Sequence, residues 1–272
     1  MNVAATRRKV RAGTLIALTL HTVRGQLRGV VIWGPILGLY GAAMVATFPS
    51  LGGEAQVDQI MNAYPEGMLE AFGITDMSTV EGFLQGQFFN LAPLALAFFP
   101  MLALAGAGAE ERGSIDILLG NPLPRWQLVV GNALATGASL FAIVALTGAL
   151  TYAAALLMNV DLSLRAISDA VLNLWPVCLF FGGVALFCSA AFHRRVFAVA
   201  VPGVLMVGMY LLSALGNVPE EIEGYRKYSG FYHYGAAITD GIDPTAFFGI
   251  SGVAFVFVAL AVLLFRGRDI HT

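Results

Sequence analysis

Six apolar runs divide the chain, at about 29–48, 88–107, 128–158, 171–192, 196–215 and 246–265, and none contains Asp, Glu, Lys, Arg or His. An α-helix rises about 1.5 Å per residue, so about 20 apolar residues cross the ~30 Å hydrocarbon core of a bilayer. Each run therefore predicts a membrane-spanning helix. Pro35, Pro93, Pro100, Pro176 and Pro202 fall inside the runs. Each removes a backbone hydrogen bond and predicts a kink. A different pattern precedes the first run. Ile16, Leu20, Val23 and Leu27 recur at four-three-four spacing, and Arg7, Arg11, Thr14, His21, Arg24 and Arg28 trace the opposite stripe, breached by Leu18. An apolar face with a basic back predicts an amphipathic helix over 7–28 lying on the membrane surface, against anionic headgroups.

The connections carry weaker signals. The loop 49–87 is long, and its "NAYPEGMLEAFG" offers Pro65 as a helix start and Gly73 as a stop, with Met68, Leu69 and Phe72 on one face. This predicts a short amphipathic helix. In 216–245, "GYRKYSGFYHYG" mixes tyrosines with Arg226, Lys227 and His233, as an interfacial aromatic belt does. The "HRR" at 193–195 is short enough to make the flanking spans antiparallel neighbours. "GPILG", Gly34 to Gly38, has the spacing that lets helices approach closely, and reads as a contact for a dimer. No linker splits the chain, so residues 1–272 read as a single transmembrane domain.

Composition agrees with the pattern. The 272 residues are 58% hydrophobic and 12% charged, about half the charge of an ordinary soluble domain. The expected fold class is an all-α integral membrane protein. It has six transmembrane helices, an N-terminal amphipathic interfacial helix and a short cytoplasmic helix between spans two and three. Twelve of the fifteen Lys and Arg fall in 1–28, 108–127, 193–195 and 266–272, the alternate set of connections. The positive-inside rule then makes both termini cytoplasmic. A net charge of −2 speaks against a nucleic-acid partner. Arg24 and Arg28 stand where a signal-peptide cleavage site would need small residues, so no cleavable leader is expected. Cys178 and Cys188 share one span, about 15 Å apart along a helix axis, too far to bridge; they read as inert packing residues.

The chemistry of the spans narrows the function. An ion-driven carrier ordinarily holds its coupling ion with ionisable groups at membrane depth. Here the spans offer only residues such as Asn90, Asn132, Asn173, Ser139, Ser189, Ser213 and Ser251. The chain has two lysines, Lys9 and Lys227, neither after a glycine, so it lacks the phosphate-cradling G-x-x-x-x-G-K-[ST] loop. "GISG" at 249–252 imitates a membrane serine protease, but His21, His193, His233 and His271 all lie outside the spans, and a serine nucleophile needs a base beside it. No His, Asp or Glu pair inside a span has metal-ligand spacing. No catalytic, cofactor or metal residue is assigned. A membrane enzyme working through Glu110, Glu111 and Asp116 is the alternative from another class.

Those acids belong to "EERGSIDILLGNPLPRW", residues 110–126, the polar interval between the second and third runs. Ser114 suits a helix cap, Ile115, Leu118 and Leu119 fall on one face, Gly120 ends the turn, and Pro124 suits the first turn of the next helix. The interval predicts a stubby helix, apolar on one side and charged on the other. Such an element docks in a groove of a soluble partner, or rests on lipid as an amphipathic turn.

This interval resembles the corresponding segment of the membrane permeases of type-2 ABC exporters, which reads roughly Glu-x-Gly-Thr, Leu-Leu, Pro-x-Ser-Arg, Gly-Lys. Glu111, Gly113, Leu118, Leu119, Pro122, Arg125 and Gly131 match, and Ser114 replaces the threonine. Pro124 stands where the family has serine and Asn132 where it has lysine. The basic N-terminal helix, the six spans, the long first outer loop and the closing "FRGRDI" at 265–270 fit the same plan. The resemblance implies a permease without enzymatic activity in the cell (inner) membrane of a bacterium or archaeon. It implies two copies of a separate ABC ATPase subunit, which bind ATP and magnesium, while this chain binds no cofactor. It also implies a second permease copy, identical or related. Glu111, Gly113, Ser114, Leu118, Leu119, Pro122 and Arg125 become the ATPase-coupling residues. Spans without charge suggest an apolar or amphipathic cargo such as a drug, antibiotic or lipid-like molecule. Phe88, Phe89, Phe98 and Phe99 are the residues expected along its path. Export of sodium or another small solute is the alternative within the family.

Overall fold

A computed structural model describes residues 3–51, 78–106, 125–192, 195–215 and 224–267. They form nine α-helices and no strand. These are α1 (Val3–Thr47), α2 (Val80–Leu84), α3 (Ala92–Ala105), α4 (Arg125–Met158), α5 (Leu164–Ala191), α6 (Arg195–Leu215), α7 (Gly230–Tyr234), α8 (Ala237–Asp240) and α9 (Pro244–Gly267). Five are long and apolar enough to cross a membrane, and α2 with α3 makes a bent sixth. The protein is an all-α integral membrane protein. The helix expected over 65–73 and most of the 110–126 segment lie outside the described residues.

The central helix is α5, which packs against α3, α4, α6 and α9. Its most apolar window is 78% buried, against 17% for those of α6 and α9, which therefore present most of their surface outward. Two adjacent glycines allow this crowding. A Cβ on Gly182 would stand 2.8 Å from Cβ of Pro100 in α3, and one on Gly183 would stand 3.0 Å from the Ala254 carbonyl oxygen in α9. Both cysteines are free and buried in this packing.

Around the centre, α1 and α4 form the most extensive helix pair. They run parallel: Thr22 pairs with Asn132 and Gln26 with Thr136, both 110 residues apart. Farther along, Gly34 and Gly38 receive Leu146 and Leu150 so closely that a Cβ on either glycine would come within 2.6 Å of a leucine methyl. The "GPILG" spacing is thus used inside the chain, against α4.

Three expectations need correction. First, 7–28 is helical but is not a separate surface helix. It continues without a break into the first span as one 45-residue helix, about 67 Å long. Leu18, the breach in the polar stripe, packs toward Gly131 of α4 together with Leu15 and Thr19, whereas Ile16, Leu20 and Leu27 are exposed. Exposed with them are His21, Arg24 and Arg28. Second, the run 88–107 is not one helix. A π turn at Gln85–Phe89 and a 44° bend precede α3, which starts with Pro93 in its first turn. A proline lacks the N–H an upstream turn would need, so the chain restarts there. Third, α5 begins at Leu164 and not near 171, and its extra turns carry the Arg165–Asp169 ion pair at 3.7 Å. That pair is exposed on the arginine side and adds little stability.

Candidate functional site

The residues expected along the cargo path separate in the structure. Phe88 and Phe89 are fully buried, with ring centroids 4.8 Å apart, and Phe99 is buried with its ring over Gly29 of α1. Phe98 points outward, 41% exposed. None of the four lines either of the two large clefts described below. Of the residues expected to couple to an ATPase, Glu111, Gly113, Ser114, Leu118, Leu119 and Pro122 lie outside the described residues, and Arg125 is the first residue of α4.

Just beyond Arg125, polar side chains clamp α4 to α1. The Thr22 hydroxyl donates to Oδ1 of Asn132 at 3.1 Å, and Nε2 of Gln26 donates to the Thr136 hydroxyl at 2.9 Å. Asn132 thus belongs to an interhelical contact. Such bonds within membrane bundles are each worth about 0.6 kcal/mol on average. Their value here is also positional, because any displacement of the segment before Arg125 reaches α4 and α1 together.

The opposite face of the same stretch of α4 lines a cavity of about 500 Å³. Val130, Ala133, Leu134, Gly137, Ala138 and Phe141 form that wall. Trp175, Leu179 and Gly183 of α5 form the floor, with Ser251, Ala254, Phe255 and Val258 of α9 opposite. The volume lies in the range of drug-sized sites. Trp175 Nε1 donates to the Gly137 carbonyl at 2.9 Å, which fixes the indole as part of the wall. Leu134, Phe141 and Phe255 are each more than half exposed at the rim, while Ala254 is buried at the base. The cavity therefore opens sideways, on the outward surface of the bundle. Ser251 lines it, is buried, and its hydroxyl has no hydrogen-bond partner. A second cleft of about 560 Å³ lies between α4 and α5 farther along, beyond Phe141, with Tyr152 and Ser168 in its lining.

At the other end, polar bonds tie the short helices to the bundle. Asn173 Nδ2 of α5 donates to the Tyr234 carbonyl at 2.6 Å, and the Tyr234 hydroxyl donates to the Phe89 carbonyl at 3.2 Å. Burial pushes the Tyr234 phenol well above the ordinary tyrosine value, so it remains a donor. Ser229 donates to the Met209 carbonyl at 2.7 Å. Sequence reasoning placed the tyrosines of 224–235 in one belt; Tyr225, Tyr228 and Tyr232 are exposed, but Tyr234 is a buried structural donor. The cavity was not foreseen either. The space in it is left by alanines and glycines on three helices, which carry no local signal.

A family model described as "Multidrug efflux system permease Rv1217c, C-terminal domain" matches residues 14–266. No curated protein and no solved structure matches the chain.

Proposed function

The chain belongs to the family of the C-terminal domain of the multidrug efflux system permease Rv1217c, and from that premise we propose that it is the membrane subunit of an ATP-driven ABC exporter. The observation that carries this reading is where the energy can enter. The apolar cores of the spans hold no ionisable side chain to bind a coupling ion, and the chain has no nucleotide-binding loop. An efflux permease built this way needs a partner that hydrolyses ATP.

In this reading the permease lies in a bacterial or archaeal cell membrane with both termini cytoplasmic. Two ATPase subunits engage the segment 110–126 of this chain and of a second permease copy, identical or related. Leu118 and Leu119 supply the apolar docking face, Glu111 and Arg125 frame it, and Gly113, Ser114 and Pro122 shape its turns. Closure of the ATPases on ATP and magnesium pushes this segment. The push passes into α4 at Arg125 and, through the Thr22–Asn132 and Gln26–Thr136 bonds, into α1. The cargo is apolar or amphipathic, because the pathway through the spans offers no charge to compensate an ion.

The test is co-expression with the ATPase encoded beside the permease, followed by purification through a tag on the permease alone. Vanadate-sensitive ATP hydrolysis co-purifies, and Leu118→Asp with Leu119→Asp abolishes it while the permease remains folded and inserted. A folded permease that brings down no ATPase contradicts the reading.

A further inference from the structure

We propose that the cavity between α4, α5 and α9 is the cargo site, taking a neutral, largely aromatic small molecule that carries one hydrogen-bond acceptor and enters sideways from the bilayer. The proposal rests on the efflux reading above for the word cargo, and on the cavity's own chemistry for the class of molecule.

The decisive feature is Ser251. Hydroxyls in membrane helices usually satisfy themselves by bonding the carbonyl one turn back. Thr147 and Thr151 do so in α4, at 2.9 Å each. Ser251 does not: it is 6% exposed and its Oγ has no partner. An unpaired polar group away from water is costly. A lipid tail has no acceptor to offer. A small molecule with a carbonyl or ether oxygen completes the bond.

The remaining features set the size and character of the occupant. The lining contains no charged side chain, which disfavours an ionic ligand. Trp175, Phe141 and Phe255 offer aromatic faces, and Trp175 is held by its bond to Gly137. Small residues leave the space between those faces. The rim is exposed where lipid would lie, so entry needs no passage through water. The site is also coupled to the energy input. On α4, residues 130–141 turn one face to the cavity and the other to α1 through Asn132 and Thr136. A push that shifts α4 against α5 and α9 reshapes the cavity directly.

Benzophenone is a suitable probe: two aromatic rings, one carbonyl, no charge, and photochemical insertion into nearby C–H bonds. The full-length protein in nanodiscs is irradiated over a concentration series and adducts are mapped by mass spectrometry. Saturable adducts are expected on 130–141 of α4 and 251–258 of α9. Ala138 is exposed within the cavity wall, so Ala138→Trp fills the space without disturbing the core. It raises the half-saturating concentration at least about tenfold. Ser251→Ala raises it about fivefold, the loss of one hydrogen bond. Labelling spread over the outward surfaces and unchanged in a folded Ala138→Trp protein overturns the proposal. So does an Ala138→Trp protein that loses only bound phospholipid, or only its oligomeric state, because the groove then serves a lipid or a second copy. Wild-type export of a neutral dye that Ala138→Trp leaves intact refutes the site and spares the efflux reading. Saturable labelling lost in Ala138→Trp, in a protein that binds no ATPase and exports nothing, keeps the binding site and removes its role in export.

Discussion

Gly34 and Gly38 show how a single atom sets the position of a helix. Leu146 and Leu150 of α4 occupy the space their side chains would need. Gly38→Leu is expected to destabilise the bundle by about 1–3 kcal/mol, the usual cost of overpacking a close contact. Thermal melting in detergent checks this, and Gly208→Leu, at a glycine with open space around it, should be nearly silent. Tyr234 makes a second prediction. Its phenol is held protonated by burial, with a folded value well above the ordinary one near 10. The folded state therefore binds the proton more tightly than the unfolded state, and stability falls as pH rises through 10 and beyond. Below that pH the group makes no pH-dependent contribution. Tyr234→Phe is expected to cost about 1 kcal/mol at neutral pH, through the donor lost at Phe89, and to weaken the alkaline decline. Unfolding midpoints measured from pH 7 to 11 test both parts. Individual roles of this kind were poorly legible in the sequence. A buried phenylalanine and a pathway phenylalanine look alike in a string of letters, so the sequence does not say that Phe88, Phe89 and Phe99 are buried.

Helices were far more legible than residues. The long apolar runs became α1, α4, α5, α6 and α9 with boundaries shifted by a few residues, because a bilayer admits little else for such runs. The errors came where one run hides a change of conformation. Gln85, Gly86 and Gln87 interrupt the apolar pattern there without announcing a π turn, and Pro93 reads as a kink within a continuous span. The continuity of α1 was obscured for the opposite reason, because a change from charged to apolar residues at 28–29 looks like an end and is only a change of surroundings. That continuity has a consequence. With α1 and α4 parallel and clamped at Thr22–Asn132 and Gln26–Thr136, the pair is expected to move as one body. Thr22→Cys with Asn132→Cys should cross-link on mild oxidation and leave export within about twofold of wild type, since the buried Cys178 and Cys188 take no part. Export abolished by that cross-link and restored by reduction would mean that the two helices slide past each other.

For the whole molecule, composition, charge placement and the family match all point to a membrane permease of an efflux system. On the proposed function, the energy for transport enters through the segment before α4 and not through an ion bound in the spans. The cavity of about 500 Å³ on α4 lies one helix width from the clamps that receive that push. Its place was not legible in the sequence, because Gly137, Gly183 and Ala254 become a site only when three helices meet. The most direct test is dye export by proteoliposomes containing the permease and its neighbouring ATPase, with proton and sodium gradients collapsed by ionophores. The account predicts export that requires ATP on the ATPase side, is blocked by vanadate and is indifferent to the ionophores. Export that stops with the ionophores and continues without ATP would contradict it.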